Sequence, residues 1–321
     1  MPAAYKIGGK NLKDISSIRG VIPAMITCFD QKGRYDEARQ RDLTEFLIGK
    51  GVNALYLTGS TGEAFLMDGD ERCAVVETVA DQNRGRVPLI VHVGDIGTRK
   101  SIRLAEHAWK AGADALSSVP PFYFRFSEEE ILSYYRSLSA ATPLPMIIYN
   151  IALAGAVSSD SVKRLATLPG VKGMKYTLTS HHEIMRLKED LGPDFMIYSG
   201  CDEMAMSGLT FGADGIIGSF YNVIPEIFLQ LYDAVQRCDL RAVEECQRVA
   251  DAVILFVLTF PYFAAMKKML QWIGHDAGYV REPFASLSLE QEQRLADGLR
   301  KIRERYGSHG IEILEKLPTR L

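Results

Sequence analysis

Apolar residues in the first two-thirds of the chain gather into eight short runs: VIPAMIT (21–27), ALYLTGS (54–60), PLIVHVG (88–94), ADALSSV (113–119), PMIIYN (145–150), GVKGMKY (170–176), FMIYSG (195–200) and GADGIIGS (212–219). The runs are continuous rather than alternating, the pattern of parallel strands covered on both faces. Most are separated by segments with helical periodicity. Residues 36–50 place Leu43, Phe46 and Leu47 on one face, and Gly51 stands where that helix can end. Thr98 can cap a helix reaching about Gly112, and Ser127 with Glu130 forms a capping box ahead of Ile131, Leu132 and Tyr135. Ser159 and Thr179 stand where two more helices open.

Strand and helix therefore alternate about eight times. This predicts an α/β fold of the closed (β/α)8 type, a TIM barrel, rather than an open doubly wound sheet, which normally needs fewer strands. Past about residue 223 the pattern is helical only: Pro225 to about Cys238, then 240–260, 262–274 and 288–306. One of these closes the barrel, so the rest predict a C-terminal helical appendage. The expected organisation is an N-terminal extension at 1–17, a barrel at 18–235 and a helical segment at 236–321 packed on it.

Length and composition narrow the classes. With 321 residues, 47% of them apolar, the chain can bury a large core. A net charge of -3 with no basic block argues against nucleic acid or an anionic membrane as the main partner. Cys28, Cys73, Cys201, Cys238 and Cys246 are odd in number and contain no close pair, as in a reduced, cytoplasmic protein. Residues 1–19 lack the apolar core of a signal peptide, and the longest apolar run, AVILFVLTF at 252–260, is too short to span a bilayer.

In such barrels chemistry sits at the C-terminal strand ends. Those ends read GSTGE (59–63), HVGD (92–95), PPFYF (120–124), YN (149–150), KYT (175–177), SGCDE (199–203) and GSF (218–220). Lys175 is the most informative. It either reaches solvent or a carboxylate, or it is an amine in a dry site. Burial disfavours the charged form of a lysine, and a neutral amine can add to a ketone and form an iminium that withdraws electrons from a bond two atoms away. Lys172 is expected to face outward. Ser60 and Thr61 lie between two glycines, where backbone N–H groups and hydroxyls can hold an anion or simply turn the chain. Tyr149 and Tyr123 are each either packed aromatics or phenols able to carry a proton. Asp202 and Glu203 either start a solvated helix or accept hydrogen bonds from a polyol at the mouth. His181 and His182 open a helix without an i, i+4 partner, so they are read as a solvated pair and no metal is expected.

Assembled, these residues resemble a known family. Over about residues 18–300 the chain is similar to the pyruvate-dependent class I aldolases that include N-acetylneuraminate lyase and dihydrodipicolinate synthase. The resemblance rests on GSTGEA (59–64), PFYF (121–124), YNI (149–151), VKGMKYT (171–177), GCDE (200–203), GADGIIGSFYN (212–222) and GYVREPFASLS near the C-terminus. It implies that Lys175 forms a Schiff base with the keto group of a small 2-keto acid, with no cofactor. It implies that Tyr149 relays protons, that Ser60 and Thr61 bind the substrate carboxylate with Ser60 in the relay, and that Tyr123 reaches a neighbouring subunit's site. A homotetramer built from two dimers is the corresponding assembly.

Within the family the lyase branch resembles this chain in GSTGEA, Thr177, Asp202, Glu203 and Ser219, groups that with Gly200 line the sugar-acid side chain there. The synthase branch carries an arginine where this chain has Ala154, so its clamp for a second carboxylate is missing. The loop after Tyr149, IALAGAV, has Ala152 where related chains carry proline, which relaxes a substrate-facing loop. The readings that follow are N-acetylneuraminate cleavage, the same chemistry on another 2-keto-3-deoxy sugar acid, dihydrodipicolinate synthesis, and a non-enzymatic keto-acid sensor.

Overall fold

The computed structural model describes residues 14–318 together with the backbone of a two-residue-per-strand hairpin, Lys6–Ile7 and Lys10–Asn11. Most of the extension expected at 1–17 lies outside the described residues. Eight parallel strands follow: β1 (Gly20–Pro23), β2 (Leu55–Leu57), β3 (Leu89–His92), β4 (Ala115–Ser118), β5 (Met146–Ile151), β6 (Val171–Thr177), β7 (Met196–Ser199) and β8 (Gly215–Gly218). Each coincides with one of the eight apolar runs, β1 starting one residue before its run and β5 and β6 ending one residue after theirs. Neighbours in sequence are neighbours in the sheet, and β8 pairs with β1. A parallel bridge between Ala24 and Tyr56, with Met25 N–H donating to the Tyr56 carbonyl at 2.8 Å, joins β1 to β2 and completes the barrel.

The continuous apolar runs have the cause expected of them, because every strand is covered twice. Ile22, Tyr56, Ile90, Ala115, Ile147, Tyr149, Met196, Tyr198 and Ile217 fill the barrel interior. Ile15 and Ile18, just ahead of β1, belong to the same interior cluster, and Tyr198 Oη donates to the Ile18 carbonyl at 3.0 Å. These residues seal the N-terminal end, which leaves the other end for chemistry. Val21, Leu55, Leu116, Ile148, Met174 and Ile197 face outward against the helices.

The helices are α1 (Glu37–Gly49), α2 (Gly69–Asn83), α3 (Thr98–Ala111), α4 (Glu128–Ala140), α5 (Ser159–Ala166), α6 (His182–Leu191), α7 (Ala205–Thr210) and α8 (Pro225–Gln236), then α9 (Leu240–Val257), α10 (Tyr262–Trp272), α11 (Leu289–Tyr306) and the short α12 (Glu312–Glu315). The Ser127–Glu130 capping box is present. Two expected caps move. Gly97, not Thr98, is the cap residue of α3. α6 starts after His181 rather than at Thr179, because β6 extends to Thr177 and the chain turns through Ser180, whose carbonyl accepts from Tyr176 Oη at 3.1 Å.

α9 and α10 bend by 115° relative to each other. The bend carries the start of α10 back toward the barrel mouth, while Val253, Ile254, Val257, Met266, Met269 and Leu270 are buried in the main core. Among the described residues no single helix is long and apolar enough to cross a membrane; α9 and α10 pass only as a bent pair.

Candidate active site

β6 alternates, so Met174 and Tyr176 join the outer core while Lys175 points into the barrel. Lys175 is 4% exposed. Among the described residues its ammonium group has no hydrogen bond and no carboxylate within ion-pair distance. Its Nζ lies 4.3 Å from the Tyr149 ring centroid and 4.7 Å from that of Tyr56. Aromatic faces attract an ammonium, but they stabilise it less than a carboxylate would in a site this dry. The strand lysine is therefore buried in the barrel without an ion-pair partner among the described residues.

The aromatic surround is itself fixed. Tyr56 and Tyr149 meet edge to face at 6.1 Å, and His92 stands edge-on to Tyr149 at 5.8 Å. Tyr56 Oη donates to Ser117 Oγ at 3.1 Å. Burial holds the Tyr56 phenol well above its ordinary pKa, and Tyr149 adds to the effect. The Val119 N–H donates to His92 Nε2 at 3.3 Å, so Nδ1 carries the proton and donates to the Thr58 carbonyl at 3.0 Å. Burial, then the nearby Arg72 charge, push the imidazole well below its usual range, and His92 is a neutral spacer. Arg72, buried on α2, donates to the carbonyls of His92 at 2.8 Å and Gly94 at 3.0 Å. Its own burial lowers its pKa to about 10. The sequence pattern gives His92, within HVGD, no role and does not single out Tyr56 or Arg72. A tyrosine in the apolar run ahead of the GSTGE turn is the available signal for Tyr56; nothing in the sequence marks Arg72 on α2.

Of the other expected site residues, Thr61 Oγ1 lies 2.7 Å from Ser219 Oγ, which joins the β2 and β8 loops, and Ser60 is half-buried in the same turn. Thr177 follows Lys175 on the strand, and its Oγ1 is buried without a hydrogen-bond partner. Gly200 is there for room: a Cβ would lie 2.0 Å from Thr177 Oγ1 and 3.0 Å from Lys175 Cε. Glu203 is exposed at the rim. Tyr123 is 85% exposed with φ 81°, turned outward beside Phe124 and away from Lys175. Lys172 faces outward as expected. The solvated histidine pair is corrected: His182 is exposed, but His181 is buried with Nδ1 2.8 Å from Ser207 Oγ, because the turn after β6 folds it under α7. Among the described residues no three His, Cys, Asp or Glu side chains are grouped so as to hold a metal ion.

Asp202 is more buried than a mouth residue would be. One oxygen accepts from the Phe220 N–H at 2.8 Å; the other, Oδ1, lies against Gly218, where a Cβ would come within 1.7 Å of it. Burial raises the Asp202 pKa from 3.8 to about 7, the Phe220 hydrogen bond opposing and the Glu203 charge adding. Folding raises this pKa, so between about pH 4 and about pH 7 the native state keeps a proton that the unfolded chain has lost, and stability falls as pH rises through that window. The effect is on the order of a few kcal/mol. In Asp202→Asn this part of the slope disappears: thermal melting of the variant across pH 5 to about 8 is expected to be flatter than that of the parent. Equal slopes would contradict the burial argument.

The mouth is completed from the C-terminal helices. Tyr262, at the start of α10, has its phenol pushed up to about 12 by burial and by proximity to Tyr149 and Asp202. The arrangement offers an unpaired amine, a phenol beside it, hydroxyls on two loops and an orphaned hydroxyl one step along the strand. That set can form an imine, move a proton and hold a carboxylate and hydroxyls.

Comparison with known proteins agrees with this geometry. An N-acetylneuraminate lyase of Escherichia coli (strain SMS-3-5 / SECEC) is 39% identical over 273 residues, covering 84% of this chain and 92% of its own length. A solved structure described as the Ruminococcus gnavus sialic acid aldolase catalytic lysine mutant superposes with a TM-score of 0.87 at 29% identity, covering 92% of this chain and 99% of that one. A dihydrodipicolinate synthase from Bacillus anthracis superposes at 0.83 with 28% identity, covering 88% and 97%. The dihydrodipicolinate synthetase family matches residues 17–302, so the chain belongs to that family of class I, pyruvate-dependent carbon–carbon lyases.

Proposed function

We propose that this protein cleaves N-acetylneuraminate reversibly to pyruvate and N-acetylmannosamine through an imine on Lys175. The observation that carries the reading is the buried amine of Lys175, with a phenol 4.3 Å from it at the ring centroid and no carboxylate partner among the described residues. The Lys175 Nζ adds to the C2 ketone of the open-chain sugar acid, and loss of water leaves an iminium. A base takes the C4 hydroxyl proton, the C3–C4 bond breaks, and its electron pair enters the iminium to give an enamine. N-acetylmannosamine leaves as the aldehyde. Protonation at C3 and hydrolysis then release pyruvate and restore the amine.

In this reading Tyr149 is the proton carrier, with Ser60 in the same relay. Ser60 and Thr61 receive the carboxylate. Thr177, Gly200, Asp202, Glu203 and Ser219 form the face for the hydroxylated tail. The relatives' names support the sugar acid, and Ala154, half-buried in the loop after β5, supplies no cation for the second carboxylate that dihydrodipicolinate synthesis needs. No cofactor is invoked, because the iminium is the electron sink. The outward Tyr123 fits a residue that completes a neighbouring subunit's site, and with exposed Phe124 it supports a homotetramer of paired dimers. Five free cysteines fit a cytoplasmic setting.

The test is a coupled pyruvate-release assay on a panel of acids. N-acetylneuraminate is expected to be cleaved with a kcat/KM about tenfold or more above that for shorter 2-keto-3-deoxy acids. Condensation of pyruvate with aspartate semialdehyde, with no cleavage of N-acetylneuraminate, would overturn the assignment.

A further inference from the structure

Glu63 ends the GSTGE turn, yet its backbone is left-handed, with φ 55° and ψ 33°. A residue with a Cβ is strained in that conformation and keeps it when its surroundings impose it. The imposing contacts come from the far end of the chain. Glu63 Oε1 lies 2.8 Å from Nζ of Lys267 on α10, and both side chains are almost fully buried. Glu63 Oε2 accepts from the Arg281 N–H at 2.8 Å. The Arg281 side chain makes a two-pronged bond to Glu71 at 2.6 and 2.7 Å and donates to the Leu66 carbonyl at 3.0 Å, the residues flanking the entrance to α2. Lys267 and Arg281 also lie over Phe29, at 4.7 and 4.2 Å from its ring centroid.

A lone buried charge is expensive, and a buried pair contributes little net stability over an apolar pair of the same size. This pair does fix geometry. The two oxygens of Glu63 are held by two different parts of the C-terminal segment, and Glu63 is two residues from Thr61. On the other side Gly62 is pressed against the segment that follows β1, where a Cβ would meet Thr27 Oγ1 at 2.9 Å and the Met25 carbonyl at 3.0 Å. The turn carrying Ser60 and Thr61 is thereby clamped between the barrel and the appendage.

We propose that Glu63 and Lys267 are positioning residues: their buried ion pair lets the C-terminal appendage set the orientation of the Ser60–Thr61 turn toward the keto-acid carboxylate. The inference rests on the imine reading above and adds a role for the appendage in binding rather than in chemistry. Neither residue touches the substrate.

The test is the pyruvate concentration giving half-maximal borohydride trapping at Lys175. Lys267→Met alone leaves Glu63 buried and unpaired and is at risk of unfolding, so the decisive variant is the double substitution Glu63→Gln with Lys267→Met. It removes both charges and keeps an acceptor for the Arg281 N–H. At a temperature where melting curves show both proteins folded, half-saturation is expected to rise about tenfold or more, with the plateau of trapped protein unchanged, as a displaced anion-binding turn requires. An unchanged half-saturation with normal trapping in the parent overturns the positioning role alone. A lowered plateau at unchanged half-saturation also overturns it, because the pair would then serve only folding. No adduct in the folded parent overturns both this inference and the imine reading.

Discussion

Lys175→Ala is expected to lose pyruvate release by on the order of 10⁴-fold or more, because the covalent route disappears and the other buried lysine, Lys267, is held in an ion pair with Glu63. The same variant should be as stable as the parent or more so. Lys175 has neither hydrogen bond nor carboxylate partner among the described residues, so removing it takes an uncompensated polar group out of the barrel. An intact or raised melting temperature beside abolished turnover separates chemistry from folding. Lys175→Arg tests the same point: a guanidinium stays protonated and forms no imine, so it should be equally inactive. Cleavage persisting within tenfold of the parent in either variant would remove the lysine from the mechanism.

Tyr149→Phe is the second large effect. The phenyl ring keeps the edge-to-face contacts with Tyr56 and His92 and the face presented to the Lys175 ammonium. What is lost is the hydroxyl. General acid–base groups contribute about 10²–10⁴-fold, so kcat for cleavage should fall by that order. Imine formation with pyruvate should survive, because the amine and the carboxylate-binding turn remain. The comparison to make is single-turnover cleavage against borohydride trapping of the same variant. Cleavage at the parental rate would place the proton carrier elsewhere.

Most of the barrel was legible because its determinants are local and repetitive. Eight apolar runs mark the strands, and the ends of those runs mark the mouth, which places Lys175, Tyr149 and Thr61 at one end of the barrel from the sequence alone. Lys175 stood out because a lysine in an otherwise apolar central strand conflicts with its surroundings, and such conflicts concentrate at functional sites. The caps of α3 and α6 fall on Gly97 and His181, neither of them a Ser or Thr: Thr98 is already the first residue of α3, and the run of β6 to Thr177 carries the start of α6 past Thr179.

What was illegible depends on contacts distant in sequence. His181 looks like half of a solvated pair until Ser207, on another helix, is brought to its Nδ1. Lys267 sits in an unremarkable KK pair on α10, and only its meeting with Glu63, 204 residues earlier, gives it a role. Asp202 was read as a group at the open mouth; the close approach of Gly218, which no local pattern encodes, tucks it beneath the end of β8. The polar tail of the site was thus legible in its residue types and not in its depth.

The central claim is that Lys175 is a covalent catalyst, and the most direct measurement is borohydride reduction in the presence of pyruvate followed by mass spectrometry of the peptide containing residue 175. The expected result is a single reduced pyruvate adduct on Lys175, absent without pyruvate and absent in Lys175→Ala. A folded protein that gives no adduct, or one that carries it on another lysine, would contradict the claim.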